Sequence, residues 1–102
     1  KKQKIFLQDI LYFEIRGRLI DIHKTGGVSD YYGKISILEE ELREKGFFRC
    51  HKSYLIHLKY VKGYNRQEVI LDNGEMIPVS KRRYEEFCKA LLDYMKKSGG
   101  IL

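Results

Sequence analysis

A mainly β domain carrying two helices is the fold this 102-residue sequence predicts. Three observations predict it. Aromatic residues make up 13% of the chain, eight of them Tyr, with one Pro and no Trp, which suits pleated, half-buried strands. Short apolar stretches with near-alternating polarity recur between Gly-containing turns. Only two segments, "SILEEELREKG" and "KRRYEEFCKALLDYMKKSGG", carry the wider apolar spacing of a helix.

In chain order, "KIFLQDILYFEIRG" divides at Gln8-Asp9 into a short strand and a longer one, the latter with Ile10 and Tyr12 towards the core but with imperfect alternation. "RGR" is short and contains Gly, as a hairpin tip requires. "RLIDIHK" alternates better, with Leu19, Asp21 and His23 on one side and Ile20 and Ile22 on the other. "TGG" ends that strand, and "VSDYYGK" is a further short strand or turn. The first helix is expected from a Ser36 cap with Glu39 three residues on, with Ile37, Leu38 and Leu42 inward and Gly46 as the stop. "FFRCHKSYLIHLKYVKGYN" supplies one or two extended segments. "EVILDNGEMIPVS" is a hairpin turning on "DNG", with Pro78 marking its return strand as an edge. Ser80 is expected to cap the last helix, whose apolar stripe is Tyr84, Phe87, Cys88, Leu91 and Met95.

Length fits one domain over residues 1–102, and 43% hydrophobic against 33% charged residues describes a chain with a core. No apolar run reaches a membrane span, and the opening "KKQKIFLQ" lacks the apolar region of a signal peptide. Starting at Lys1 instead of Met, the chain reads as a piece excised from a longer protein. Two cysteines, Cys50 and Cys88, do not make a disulfide framework and fit a cytoplasmic setting. The formal charge is +6 and the pI about 9.3, in the range of nucleic-acid binders. Its signs are segregated: Glu39, Glu40, Glu41 and Glu44 gather in one helix, while "SKRRY" and the opening stretch are positive.

Catalytic constellations are absent. Cys50 and His51 are neighbours on a strand and so face opposite sides, which argues against a nucleophile and base. A zinc site from Cys50, His51, His57 and Cys88 lacks any close pair of ligands, so neither metal nor cofactor is expected. His23 at a strand end is read as a surface residue. "TGGVSD" carries no phosphate-loop lysine.

The ordered series "FFRCHKSYLIHLKYVKGY" then "LDNGEMIPVSKRRYEEF" resembles the LytTR family of bacterial DNA-binding domains, and "IFLQDILYFE" resembles that family's opening. The shared pattern is aromatic-x-Arg-x-His-x-Ser-Tyr, an apolar run, a hairpin with Asp or Asn before Gly, and Pro-Val-Ser before the last helix. It extends from about Lys4 to Tyr94. The resemblance implies an elongated stack of small antiparallel β-sheets, a LytTR-type β-sandwich with one internal and one C-terminal helix. It also implies the output end of a two-component response regulator, preceded by a phosphorylatable receiver domain. Such domains bind double-stranded promoter DNA as pairs of copies on direct repeats, through loops entering successive grooves. Carried over to this sequence, the first loop offers Arg16 and Arg18, the second His51, Lys52 and Ser53, and the third Ser80, Lys81 and Arg82. Lys81 stands where the family usually has Arg, and His57 where Asn is common.

Phosphate attraction explains a further pattern: from Gly46 to Gln67 there is no acidic residue, and the charges are Arg49, Lys52, Lys59, Lys62 and Arg66. Arg49 is assigned a structural or phosphate role. Lys59, Lys62 and Arg66 fit solvated side chains and phosphate contacts equally well. Tyr54, Tyr60 and Tyr64 are assigned to core or sheet. Residue chemistry alone leaves two rivals, an RNA- or single-strand-binding β domain and a basic protein-interaction module.

Overall fold

The computed structural model describes residues 4–100; Lys1 and Lys2 of the basic opening lie outside the described residues. Among the described residues, eight strands form two antiparallel sheets. The larger contains β1 (Ile10–Arg16), β2 (Leu19–Lys24), β3 (Gly27–Tyr32), β4 (Phe47–His51) and β5 (Tyr54–His57), in the order β3-β2-β1-β5-β4. The smaller contains β6 (Val61–Tyr64), β7 (Glu68–Leu71) and β8 (Met76–Pro78) in sequence order. Helix α1 (Ile35–Leu42) joins β3 to β4, and α2 (Tyr84–Ser98) follows β8.

The five-stranded sheet is covered on both faces. One face packs Ile10, Phe13, Ile20 and Leu55 against Ile35 and Leu42 of α1. The other packs Leu11, Tyr12 and Ile56 against Val69, Leu71 and Ile77 of the small sheet and Phe87 and Leu91 of α2. Strand β1 therefore buries four successive residues, Ile10 to Phe13, which is why its sequence does not alternate cleanly. Tyr12 Oη donates to Glu75 Oε2 at 2.7 Å, tying the two sheets together.

Several sequence expectations are corrected. The opening apolar run is not a strand: Leu7–Asp9 is a 3-10 turn closed by Asp9 N–H on the Phe6 carbonyl. Helix α1 begins at Ile35, with Lys34 in extended conformation before it and no side-chain cap, so Ser36 lies inside the helix. The earlier start places Ile35 in the core and leaves Ile37 56% exposed; Ile35, Leu38 and Leu42 form the inward face. Burial of Ile35 outweighs the capping preference of Ser36. Ser80 does not cap α2 with its side chain either; Lys81–Arg83 forms a 3-10 turn, with Arg83 N–H on the Ser80 carbonyl, before the helix proper. The stretch after Gly46 yields three strands where one or two were expected.

The other turns match. Gly17 at φ 64 and Arg18 connect β1 to β2, the left-handed conformation a two-residue hairpin tip demands. Residues Asp72–Glu75 turn β7 into β8, and β8 with Pro78 is an edge strand. Gly46 at φ 86 ends the α1 segment, and a Cβ there would meet the Tyr94 ring at 3.0 Å.

This up-and-down path gives the molecule two ends. One gathers the β1–β2 tip, the β4–β5 turn, the β6–β7 turn and segment 79–83: Ile15 N–H bonds the Ser53 carbonyl, Ser80 N–H the Cys50 carbonyl, and Val79 N–H the Gln67 carbonyl. The opposite end gathers the β2–β3 turn, Gly46, Leu58–Tyr60 and the β7–β8 turn, through Thr25 N–H on Asp9, Leu58 N–H on Gly46 and Asp72 N–H on Tyr60.

Candidate nucleic-acid interface

All eight residues singled out from the sequence lie at the first of these ends. Arg16 closes β1 and Arg18 forms the β1–β2 tip; Lys52 and Ser53 form the β4–β5 turn, with His51 before them; Ser80, Lys81 and Arg82 lead into α2. Arg49, His51, Lys52, Ser80, Arg82 and Arg83 line one shallow cleft of about 290 Å³, so the second and third loops share a surface. The first loop lies beside the second through the Ile15–Ser53 bond, 2.9 Å.

The end is braced by ion pairs that engage Asp21 and Glu39. Arg16 forks onto Asp21, with Nε at 2.5 Å and Nη2 at 3.0 Å from the two carboxylate oxygens. The guanidinium holds the nearly buried Asp21 carboxyl below its ordinary range. Glu39 of α1 receives both Arg49, at 3.3 Å, and Arg83, at 3.5 Å. Arg49 in turn donates from Nε (3.2 Å) and Nη2 (2.6 Å) to the Lys52 carbonyl, and Arg83 donates to the Arg49 carbonyl at 3.1 Å. Arg49 is therefore structural: it clamps the β4–β5 turn. Arg18, Lys52, Lys81 and Arg82 are exposed and have no ion-pair partner among the described residues.

His51 accepts the Ser53 N–H on Nδ1 at 3.1 Å. Burial first, and then the cations of Lys52 and Arg49, hold its pKa below the ordinary 6.5. It is neutral at pH 7, with Nδ1 occupied as acceptor and Nε2–H available as donor. A neutral imidazole donor beside an ammonium is suited to a phosphate oxygen.

The chemistry set aside in the sequence is also placed. Cys50 is wholly buried, its Sγ 3.5 Å from the Pro78 carbonyl, and burial pushes its thiol up to about 12. It faces away from His51 and is no thiolate nucleophile at neutral pH. His57 is buried, bonds the Ile10 carbonyl through Nδ1 at 2.9 Å and stacks on Phe47 at 4.2 Å. His23 is not the surface residue expected: its ring stacks on Tyr12 at 4.0 Å and Nε2 is buried, 3.6 Å from Glu14 Oε1. Glu14, Asp21 and His23 bring their donor atoms within 4.8 Å of one another, but Asp21 is committed to Arg16, and Glu14 accepts the Tyr54 hydroxyl. Tyr54 and Tyr60 serve the sheets, the latter bonding the Gln8 carbonyl.

Sequence reasoning did not find the Glu39–Arg49–Arg83 brace, because its members lie ten and forty-four residues from Glu39. Arg66 at the β6–β7 turn also reaches this end, beside Lys81. The available signal was Asn65, whose side chain accepts the Gln67 and Glu68 N–H groups and makes "NRQ" a fixed turn.

The profile of the LytTr DNA-binding domain matches residues 1–92. Among solved structures, the chain is similar to one described as the LytTr DNA-binding domain of a methyl-accepting/DNA response regulator from Bacillus cereus. The TM-score is 0.71 at 22% identity, covering 83% of this chain and 82% of that one, a likeness of fold. No curated protein matches.

Proposed function

Since the chain belongs to the LytTr DNA-binding domain family, we propose that its basic end binds double-stranded promoter DNA sequence-specifically, with its loops inserted into successive grooves. The observation that carries this is the pairing pattern: Asp21, Glu14 and Glu39 are all engaged internally, while Arg18, Lys52, Lys81 and Arg82 are left unpaired on one end. A surface that leaves four loop cations free, with Asp21, Glu14 and Glu39 engaged internally, matches a polyanion. Base reading belongs to the two projecting sites. Arg18 sits at a two-residue tip, and Arg82 with Lys81 at a 3-10 turn, whereas Arg16 has one edge of its guanidinium filled by Asp21 and keeps Nη1 and the second Nη2 hydrogen for a phosphate. His51, Lys52 and Ser53 anchor the backbone between them, and Ser80 positions the third loop through its bond to Cys50.

The proposal extends to the setting: the output domain of a cytoplasmic two-component response regulator, carried behind a receiver domain and acting with a second copy on direct repeats. The Bacillus cereus protein's description as a response regulator supports it. Selection from a randomised duplex library tests the reading loops. Arg18→Ala and Arg82→Ala relax preference at separate positions, each losing about 1–3 kcal/mol of discrimination, and Lys52→Ala weakens all sequences alike. Recovery of the wild-type motif at unchanged stringency by both arginine variants overturns the assignment.

A further inference from the structure

Three turns account for the expected interface, but the same end carries a fourth. The β6–β7 turn, Asn65–Gln67, is joined to the segment before α2 by Val79 N–H on the Gln67 carbonyl at 2.9 Å. Arg66 lies on it with its guanidinium carbon 4.8 Å from the centroid of the Tyr84 ring, Tyr84 being the first residue of α2. Arg66, Gln67, Val79, Lys81 and Tyr84 line a cleft of about 370 Å³ that has no carboxylate in its lining. We infer that Arg66, held over Tyr84, makes the β6–β7 turn a fourth DNA-contacting turn by binding a backbone phosphate beside the third loop, and that Tyr84 is its positioning residue. This rests on the duplex-binding reading above.

Three features favour phosphate over base. The turn is fixed in shape by Asn65 Oδ1, which accepts the Gln67 and Glu68 N–H groups at 2.8 and 3.0 Å, and is tied to the body of the molecule by Val79 N–H on the Gln67 carbonyl. A guanidinium held over a ring is kept against the protein surface, so its reach into a groove is already used, while Arg66 has no hydrogen-bond or ion-pair partner among the described residues and its N–H groups stay free. Stacking also removes rotamer freedom before binding, so less is lost when a phosphate is engaged. Lys59 makes a similar pair, Nζ 5.2 Å from the Tyr60 ring centroid, but at the opposite end of the molecule. It is the matched control.

The test is fluorescence anisotropy of a labelled duplex carrying the selected motif, titrated from 50 to 300 mM salt with wild type, Arg66→Ala, Arg66→Lys and Lys59→Ala. One lost phosphate contact lowers the slope of log affinity against log salt by about 0.9 and weakens binding roughly 5- to 10-fold at 0.1 M salt, equally for matched and mismatched duplexes. Arg66→Lys keeps the slope and loses affinity, because the charge remains but the planar forked head does not; Lys59→Ala changes neither. Wild-type binding with an unchanged slope in Arg66→Ala overturns this inference and leaves the broader reading intact. A change in the selected motif at one position overturns the phosphate assignment. Failure of the wild type to bind duplex at all removes the broader reading and this inference with it. Circular dichroism of each variant confirms folding, and Arg66 is exposed enough to be replaced without opening the core.

Discussion

Removing the Arg49 side chain puts the internal brace of the basic end to the test. Its guanidinium makes two hydrogen bonds to the Lys52 carbonyl, at 3.2 and 2.6 Å, and an ion pair with Glu39 at 3.3 Å, with only 18% of the side chain exposed. A hydrogen bond from a charged donor contributes about 1.5–3 kcal/mol, but these two share one acceptor at the solvent edge, so together they are worth about 1–2 kcal/mol. The ion pair adds about 0.2–1 kcal/mol. Arg49→Ala is therefore expected to cost about 1–3 kcal/mol, a substantial part of the roughly 5–15 kcal/mol that stabilises a domain. Arg49→Lys recovers the ion pair but not the fork, and falls between. Urea unfolding followed by tyrosine emission measures it, since the chain has eight Tyr and no Trp. Because Lys52 is carried on the clamped turn, duplex affinity falls in the same order. A loss below about 0.5 kcal/mol for Arg49→Ala, with unchanged DNA binding, refutes the clamp.

Acid sensitivity is expected from His57: burial, its largest cause, holds its pKa below 6.5, so the neutral ring is favoured in the fold. The stability this contributes is complete above pH 6.5 and is lost as pH falls from there through the folded value. The wild type therefore loses stability between pH 7.5 and 5 relative to His57→Asn, and parallel curves for the two proteins exclude it. The Cys50 thiol, buried with its pKa at about 12, is expected to resist alkylation at pH 8 in the folded protein and to react once urea unfolds it; prompt native-state labelling at Cys50 contradicts its placement. Tyr12→Phe removes the 2.7 Å bond to Glu75 between the sheets and should cost about 1 kcal/mol by urea titration, with no change in duplex selectivity.

What the sequence revealed and what it hid divide along a physical line. Hairpin tips depend on local chemistry, so "RGR", "DNG" and Pro78 could be read directly, and so could the α2 stripe built on Phe87 and Leu91. The strand β1 could be located but not oriented, because Ile10 to Phe13 are buried on both faces and no polar alternation marks an outside. The start of α1 was misplaced because Ser36 and Glu39 satisfy a local capping pattern, whereas tertiary packing of Ile35 decides the boundary and Glu39 is used by Arg49 and Arg83. Among the candidate site residues, the resemblance to the family's motifs located all three loops, each of which is a turn. It did not distinguish Arg16 from Arg18, because the Asp21 partner that occupies Arg16 lies across a hairpin and is seen only once the register is known. The same holds for Arg66 over Tyr84, eighteen positions away, a pairing that exists only once the β6–β7 turn meets the start of α2.

Amide chemical-shift perturbation on adding a specific duplex tests most directly whether one end of this fold is the DNA-binding end. The account predicts changes concentrated at Gly17–Arg18, His51–Ser53, Arg66 and Ser80–Arg82, with Thr25–Gly26, Gly46 and Asn73–Gly74 at the opposite end left unmoved. Perturbation centred on that opposite end, with the four basic turns unaffected, would contradict it.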